Sequence, residues 1–469
     1  MSAPANRLAT GILPDSVIRT PDADATLLSV TLSEQLTPET VKAWLTDVTG
    51  LVGTLQSTVE EGRRVATVNV AFAASFFQTA PGTGRFGLSA EQIPVELATP
   101  PTLPALTGVA PVPGDVLFYI LSTSDAAVAA FKAGLSATHP AAVVGDSLEV
   151  GFQRHDKREQ FGFRDGLRNI PSPERPEVVF LDPERSPEEP AWTAGGSYVA
   201  YLKIRQDVAA MEGKSIDEQQ QIIGRRKSDG SRLDLPEGTV VAQEGEFTGT
   251  ACPAAAHIRK AGPRGTLHDG TRIFRRGVPY LTLNPDGSDE RGLQFVSYQR
   301  SLDEFAAIFG RWMTNPSFPA PGTGTDSLLA SGVITIEKAG FFFSPPRDSR
   351  FIGAQIFDPP PVDPCGVGRI VVQKELLDQN GQPVLSELGG ISFQILQGGQ
   401  PVGAEFTTDS TGRAVSPPVP RGTALAVHEV SAPVGFQEPA DTEITLEKAR
   451  TLVRIVNHQT PGSEPHYSG

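Results

Sequence analysis

Three side chains in this sequence are of types that move protons or bind metals, and each stands in a setting able to hold it in place. Asp165 lies in Phe161-Gly162-Phe163-Arg164-Asp165-Gly166. Gly166 tolerates a positive φ, so the chain can turn there and present the carboxylate beside an apolar wall of Phe161 and Phe163. A carboxylate partly withdrawn from water is suited to shuttling protons. His257, in Ala256-His257-Ile258-Arg259-Lys260, is a candidate ligand, because neutral imidazole binds iron and other metals. Arg275, in Ile273-Phe274-Arg275-Arg276-Gly277-Val278-Pro279-Tyr280, would supply fixed positive charge where a reacting oxygen gains negative charge. Taken singly each has an ordinary reading: a surface Asp-Gly turn, a loop histidine, a solvated Arg-Arg-Gly turn. Their joint presence in this order points to one site.

The elements that must position them form a rhythm. Leu27 to Leu32 reads as a strand. Thr37-Pro38-Glu39 is a helix start, with a capping residue, a proline at the first helical position and an acid in the first turn. The helix runs through Val41, Trp44, Leu45 and Val48. Arg64 to Phe76 and Asp115 to Leu121 read as strands, Ser124-Asp125 caps an alanine-rich helix to about Leu135, and Leu148 to Phe152 closes the unit. Strand, helix, strand, strand, helix, strand is the pattern of a split βαβ or ferredoxin-like unit. A second pass follows a Pro- and Glu-rich crossing over 171–195. Gly196 to Val208 opens it, Ser215 to Arg225 is a helix, and Arg272 to Pro279, Gln294 to Tyr298, the helix Leu302 to Met313 and Phe341-Phe342-Phe343 complete it. The expected class is α+β with two tandem halves, about 25–170 and 196–350, within a domain 1–356. An apolar crevice between the halves is the expected cofactor site.

Charge and composition narrow the function. A net charge of −14 and a pI near 5.1 argue against nucleic acid or an anionic membrane as partner. No apolar run reaches the roughly 20 residues of a membrane span. Met1 to Asp24 lacks a cationic segment followed by an apolar one, so a cytoplasmic location is expected, with export by a non-Sec route as the alternative. Cys252 and Cys365 are too few for a disulfide framework.

At these residues the sequence resembles the dye-decolorising peroxidases, over roughly residues 25 to 350. Gly162-Phe163-Arg164-Asp165-Gly166 fits that family's GxxDG motif, so that Gly162 and Phe163 would border the cofactor. The resemblance implies haem b, one per chain, with His257 as the axial ligand of its iron. It further implies hydrogen peroxide and a reducing substrate such as a dye or phenolic as reactants, with Asp165 and Arg275 catalytic. Asp165 would carry a proton from the near peroxide oxygen to the far one, and Arg275 would stabilise charge and hold peroxide or a haem propionate. Some members carry an asparagine two positions after this arginine, where this chain has Gly277. The expected partner of the second His257 nitrogen is Asp303, in Ser301-Leu302-Asp303-Glu304-Phe305. Tyr280, Tyr298 and Trp312 are the aromatics nearest these motifs, as core residues or as redox relays for bulky donors. A homo-oligomer is a further expectation.

The C-terminal portion changes character. A Pro-rich linker, 357–366, precedes short strands at regular spacing, Arg369 to Lys374, Ile391 to Leu396, Ala424 to Val430 and Thr451 to Asn457, which argue a small β-sandwich over 367–460 before a tail, 461–469. Val372-Gln373-Lys374, Asp409-Ser410-Thr411-Gly412, His428-Glu429-Val430-Ser431-Ala432-Pro433 and Val456-Asn457 resemble the Cna-B or SpaA-type prealbumin-like domains. That resemblance implies an isopeptide bond between Lys374 and Asn457 assisted by Glu429, and a docking or anchoring role. The competing reading of the whole chain is a non-enzymatic haem-binding or surface-attachment protein whose functional end is this domain.

Overall fold

Thr37 accepts the backbone N–H of Thr40 and donates its own to the Thr40 hydroxyl, at 3.3 and 2.8 Å, and this reciprocal cap starts helix α1, Pro38–Ser57. Its buried residues Val41, Trp44, Leu45, Val48, Val52 and Leu55 recur at three- and four-residue steps, so one face packs down. That helix follows β1 (Asp24–Leu32). Next come β2 (Ala66–Ala73), β3 (Val116–Ser122), α2 (Asp125–Thr138, capped by Ser124) and β4 (Val143–Phe152). The computed structural model describes residues 8–12, 23–80, 83–89, 92–182, 186, 189–240, 244–265, 270–358, 367–381, 383–384, 388–409, 412–446 and 450–462. The expected linker beyond residue 358, Cys365, the Ser410-Thr411 turn and the tail beyond residue 462 lie outside these.

The second pass has β5 (Ser197–Gln206), α3 (Ile216–Ile223), α4 (His257–Lys260), β6 (Phe274–Arg275), β7 (Val278–Leu283) and β8 (Asp289–Gln299). It ends with α5 (Leu302–Ala306), a π-helical continuation (Ala307–Met313), α6 (Ser327–Ala330) and β9 (Ile334–Ser344). Two expected elements are thereby revised. The strand from Arg64 stops at Ala73 and Ala74–Phe77 is a helical turn, while the helix to Met313 widens halfway.

The long strands of these two passes join one sheet in the order β6-β8-β5-β9-β2-β3-β1-β4, antiparallel throughout that order, with β7 beside β8 and a short Ala110–Pro111 strand parallel to β9. Each half contributes the 2-3-1-4 order of a split βαβ unit. The halves do not face each other across a crevice: β9 pairs edge to edge with β2 through Phe342↔Ala73 and Phe343↔Phe72. The outer edges then approach one another, since Gln294 Nε2 donates to Val150 O at 3.3 Å and a Cβ on Gly151 would lie 2.5 Å from Val278. The sheet buries both faces. Leu28, Val30 and Leu32 pack with Trp44 and Leu45 on the helix side, while Ala25 and Leu27 pack with Tyr119, Tyr201 and Tyr298 on the other. Strand β3 is therefore apolar at nearly every position.

Residues Ala3–Leu181 and Trp192–Asp358 form one compact unit, and Pro359–Gly469 with Asp182–Ala191 form another. In the second, β10 (Val367–Leu377) pairs in parallel with the last strand, β17 (Arg450–His458), and antiparallel with β13 (Arg413–Val415) and β14 (Val419–Pro420). A second sheet orders β12 (Gln400–Thr407), β11 (Ser392–Gln397), β15 (Ala424–Glu429) and β16 (Thr442–Thr445). Ile370, Val372, Phe393, Ile395, Leu425 and Val427 fill the core from both sheets. Among the described residues no helix is long and apolar enough to cross a membrane.

One buried ion pair locks β1 to β3. Asp115 Oδ2 lies 3.0 Å from Arg85 Nη1 and accepts Leu32 N–H at 2.7 Å, while Arg85 Nη2 donates to Leu32 O at 2.8 Å. Asp115→Ala strands a buried guanidinium and is expected to cost about 3–5 kcal/mol, read from chemical unfolding of the full chain.

Candidate functional site

The Asp165 loop is a tight hairpin built by its own backbone. Glu159 N–H donates to Phe163 O at 3.0 Å and Asp165 N–H to Lys157 O at 2.8 Å. Gly162 and Gly166 take φ of +85° and +72°, as a turn that reverses twice requires. The buried Glu159 carboxylate fixes the curve from inside: its oxygens accept Phe161 N–H and Phe163 N–H, both at 2.9 Å, and Gln206 Nε2 at 3.0 Å. Burial pushes the Glu159 carboxyl above its ordinary range against those hydrogen bonds. Phe161 and Phe163 are buried with Met211, Ile223 and Val333, and Ile258 and Leu328 pack on the same cluster. Asp165 itself is exposed, and its Oδ1 accepts Gly166 N–H at 2.6 Å, so Oδ2 is the oxygen left for a proton.

Strand register decides which arginine of the Arg275-Arg276 pair is available. Phe274↔Tyr298 and Arg275↔Ser297 are cross-strand partners, so successive side chains leave opposite faces. Arg276 is tied inward: its Nη1 donates to Ile12 O at 2.6 Å and its carbonyl accepts Tyr119 Oη at 2.5 Å. Arg275 is exposed and donates from Nη2 to Arg168 O at 3.2 Å, three residues beyond Asp165. The expected arginine and carboxylate are thus carried by segments bonded to each other. Gly277 has a steric reason: a Cβ there would lie 2.7 Å from Gln294 O, so no asparagine fits without moving β8.

His257 opens the one-turn helix α4, and its ring is 30% exposed. The expected partner, Asp303, is not the one found. Asp303 is exposed and engages Arg311, eight residues further along, through both oxygens at 2.7 Å. His257 Nδ1 instead meets Asp326 Oδ2 at 2.9 Å, and Asp326 is 0% exposed. Asp326 Oδ1 caps helix α6 through Leu328 N–H and Leu329 N–H, at 2.8 and 3.3 Å. One carboxylate thereby ends a helix and orients an imidazole. The sequence signal was present, an aspartate before Ser327-Leu328-Leu329, but it announces only a cap.

With Nδ1 committed, Nε2 is the nitrogen left for a metal. Among the described residues no group of three or more His, Cys, Asp or Glu is placed to hold a metal ion. An iron at His257 would therefore bring its other ligands with it, as a porphyrin does, and a partly exposed ring anchored from behind fits that group. Tyr280, Tyr298 and Trp312 are each 1% exposed; Tyr280 Oη donates to Glu290 Oε1 at 3.1 Å and Trp312 stacks on Phe318 at 5.5 Å.

Part of the chain is similar to known proteins. Residues 156–349 match the family model for the Dyp-type peroxidase C-terminal domain. The chain is 28% identical over 236 residues to the dye-decolorizing peroxidase msp1 of Mycetinis scorodonius, covering 37% of this chain and 46% of that protein. It is 32% identical over 216 residues to a deferrochelatase of Escherichia coli K12, covering 41% and 48%. The chain thus spans about half the length of the curated relatives it matches. Among solved structures, ferric DtpA of Streptomyces lividans superposes with a TM-score of 0.58 at 23% identity, over 76% of this chain and 97% of that one. A DypB variant of Rhodococcus jostii in complex with heme gives 0.52 at 22%, over 71% and 96%. The α+β fold with its large antiparallel sheet is therefore that of the DyP-type peroxidases.

Glu159→Ala removes the acceptor of three buried donors. The expected cost is about 1–3 kcal/mol, with faster amide exchange at Phe161 and Phe163, measured by denaturant titration and hydrogen exchange.

Proposed function

We propose that the first unit is a haem-dependent peroxidase of the dye-decolorising type, using hydrogen peroxide to oxidise dyes, phenolics or similar donors. The observation that carries this reading is the His257–Asp326 bond, an imidazole anchored on a buried carboxylate within the stretch that matches the family model. Haem b, when bound, supplies the redox chemistry that cleaves peroxide and withdraws electrons from the donor. His257 would hold it through Nε2, and Asp326 sets the tautomer and raises the basicity of the ring. Asp165 takes a proton from one peroxide oxygen at Oδ2 and returns it to the other, while the hydrogen bond from Gly166 keeps Oδ1 in place. Arg275 offers a guanidinium to the charge that develops as the O–O bond breaks.

Purified protein given haem is expected to show a Soret band that His257→Ala abolishes, and to oxidise a dye donor when peroxide is added. Asp165→Asn and Arg275→Leu each lower turnover by about a hundred- to a thousand-fold. Asp326→Ala weakens haem affinity by about 10- to 100-fold, and Asp303→Ala leaves it unchanged. A Soret band with no donor oxidation would leave a haem binder and end the peroxidase reading.

For the second unit we infer a Cna-B-like domain closed by an isopeptide bond. Lys374, Glu429 and Asn457 are buried together, at 1%, 2% and 1% exposure. Lys374 Nζ donates to Glu429 Oε2 at 2.6 Å and contacts Asn457 Oδ1, and Asn457 Nδ2 donates to Glu429 Oε1 at 2.7 Å. Burial lowers the Lys374 pKa against the pull of Glu429, favouring the neutral amine as nucleophile. Lys374 Nζ would bond to Asn457 Cγ, Nδ2 would leave as ammonia, and Glu429 would ferry the protons. Intact mass is expected to be short by one ammonia, and Glu429→Ala to restore the full mass. An uncrosslinked wild-type mass ends this proposal.

A further inference from the structure

Lys260 is a charge with an unusual setting. It stands at the end of the same one-turn helix that His257 begins, and it is 0% exposed. A buried lysine is costly unless its three donor hydrogens all find acceptors. Here they do: Nζ donates to Asn315 O and Phe318 O, each at 2.6 Å, and to Gly324 O at 2.9 Å. Every acceptor is a backbone carbonyl on the loop that joins the π-helical turn to Asp326. The same loop is closed by Gly324 N–H to Pro316 O at 2.9 Å and Asp326 N–H to Met313 O at 2.8 Å, and Ser327 N–H reaches Ala255 O at 2.8 Å. Desolvation brings the Lys260 pKa down to about 8, and the negative charge that opposes this is Asp326's. The lysine therefore ties the His257 helix to the Asp326 loop and sets a positive charge within electrostatic reach of the carboxylate.

We propose that Lys260 is a positioning residue for the His257–Asp326 pair: its ammonium organises the loop that delivers Asp326 and limits how much negative charge that carboxylate passes to the imidazole. The proposal rests on the reading of His257 as the haem ligand. An imidazole polarised by a bare carboxylate donates more strongly and favours ferric iron. A cation bonded into the loop that carries that carboxylate works against this. Removing the cation should move the ferric–ferrous equilibrium toward ferric.

The test is spectroelectrochemical titration of the haem-loaded full chain. Lys260→Met and Lys260→Gln are expected to shift the equilibrium about tenfold toward ferric, ~59 mV for one electron. Lys260→Arg, which keeps the charge, should stay near the parent. In an Asp326→Asn background the Lys260→Gln shift should fall to less than half. In haem-free protein, Lys260→Met should quicken amide exchange across residues 314–326 by about tenfold or more. A lysine with only a structural role would alter exchange and leave the potential unmoved. A folded neutral variant with the parent's potential, or a shift undiminished by Asp326→Asn, overturns the proposal; Lys260→Gln serves if Lys260→Met does not fold. Loss of the parent's own His257-dependent Soret band would instead strike the peroxidase reading, and the haem-free exchange would still report on the loop.

Discussion

A histidine can present one nitrogen to a metal in a fixed direction only if its other nitrogen is held, and the 2.9 Å bond from His257 to a fully buried Asp326 does that holding here. Much of the surrounding architecture serves this constraint. Asp326 is itself fixed because Oδ1 caps a helix, and the loop before it is pinned by Lys260 from the helix that starts at His257. Imidazole, orienting carboxylate and buried cation form one linked set in which the cation ties the loop and the carboxylate orients the ring.

The second requirement is that a carboxylate and a guanidinium stand ready without being consumed by the protein. Half-buried groups meet the structural demands, and the exposed ones stay open to solvent. Glu159, not Asp165, accepts the loop's amides, and Arg276, not Arg275, reaches the N-terminal segment. In both cases two similar residues lie close in sequence, and the fold ties one into the structure and leaves the other exposed. The strand alternation at Phe274-Arg275 makes that division for the arginines, since shifting the register by one residue would exchange their faces.

The second unit shows a comparable economy. Parallel pairing of its first and last strands brings Lys374 and Asn457 onto neighbouring strands, 83 residues apart in sequence, with Glu429 bonded to both in a buried core. Three polar groups in such a core destabilise unless they satisfy one another.

Local signals were enough for much of this. The Thr37-Pro38 cap, the three- and four-residue spacing through Trp44, the Gly162 and Gly166 turns and the candidacy of Asp165, His257 and Arg275 follow from residue type and near neighbours. The two-pass order of strands and helices was equally legible, because periodicity is a property of short windows. The edge-to-edge union of the halves through Phe342 and Phe343 was not, since an edge strand and a central strand can carry the same apolar residues. Nor was the partner of His257. Asp303 and Asp326 both stand at helix starts in the structure, and only the three-dimensional path of the chain, which brings together residues 69 apart, gives one to Arg311 and the other to the imidazole. Sequence by itself determined which residue types are present to propose as chemical groups; tertiary structure decided which carboxylate is buried against which nitrogen, because burial and long-range contact are set by packing that no local pattern encodes.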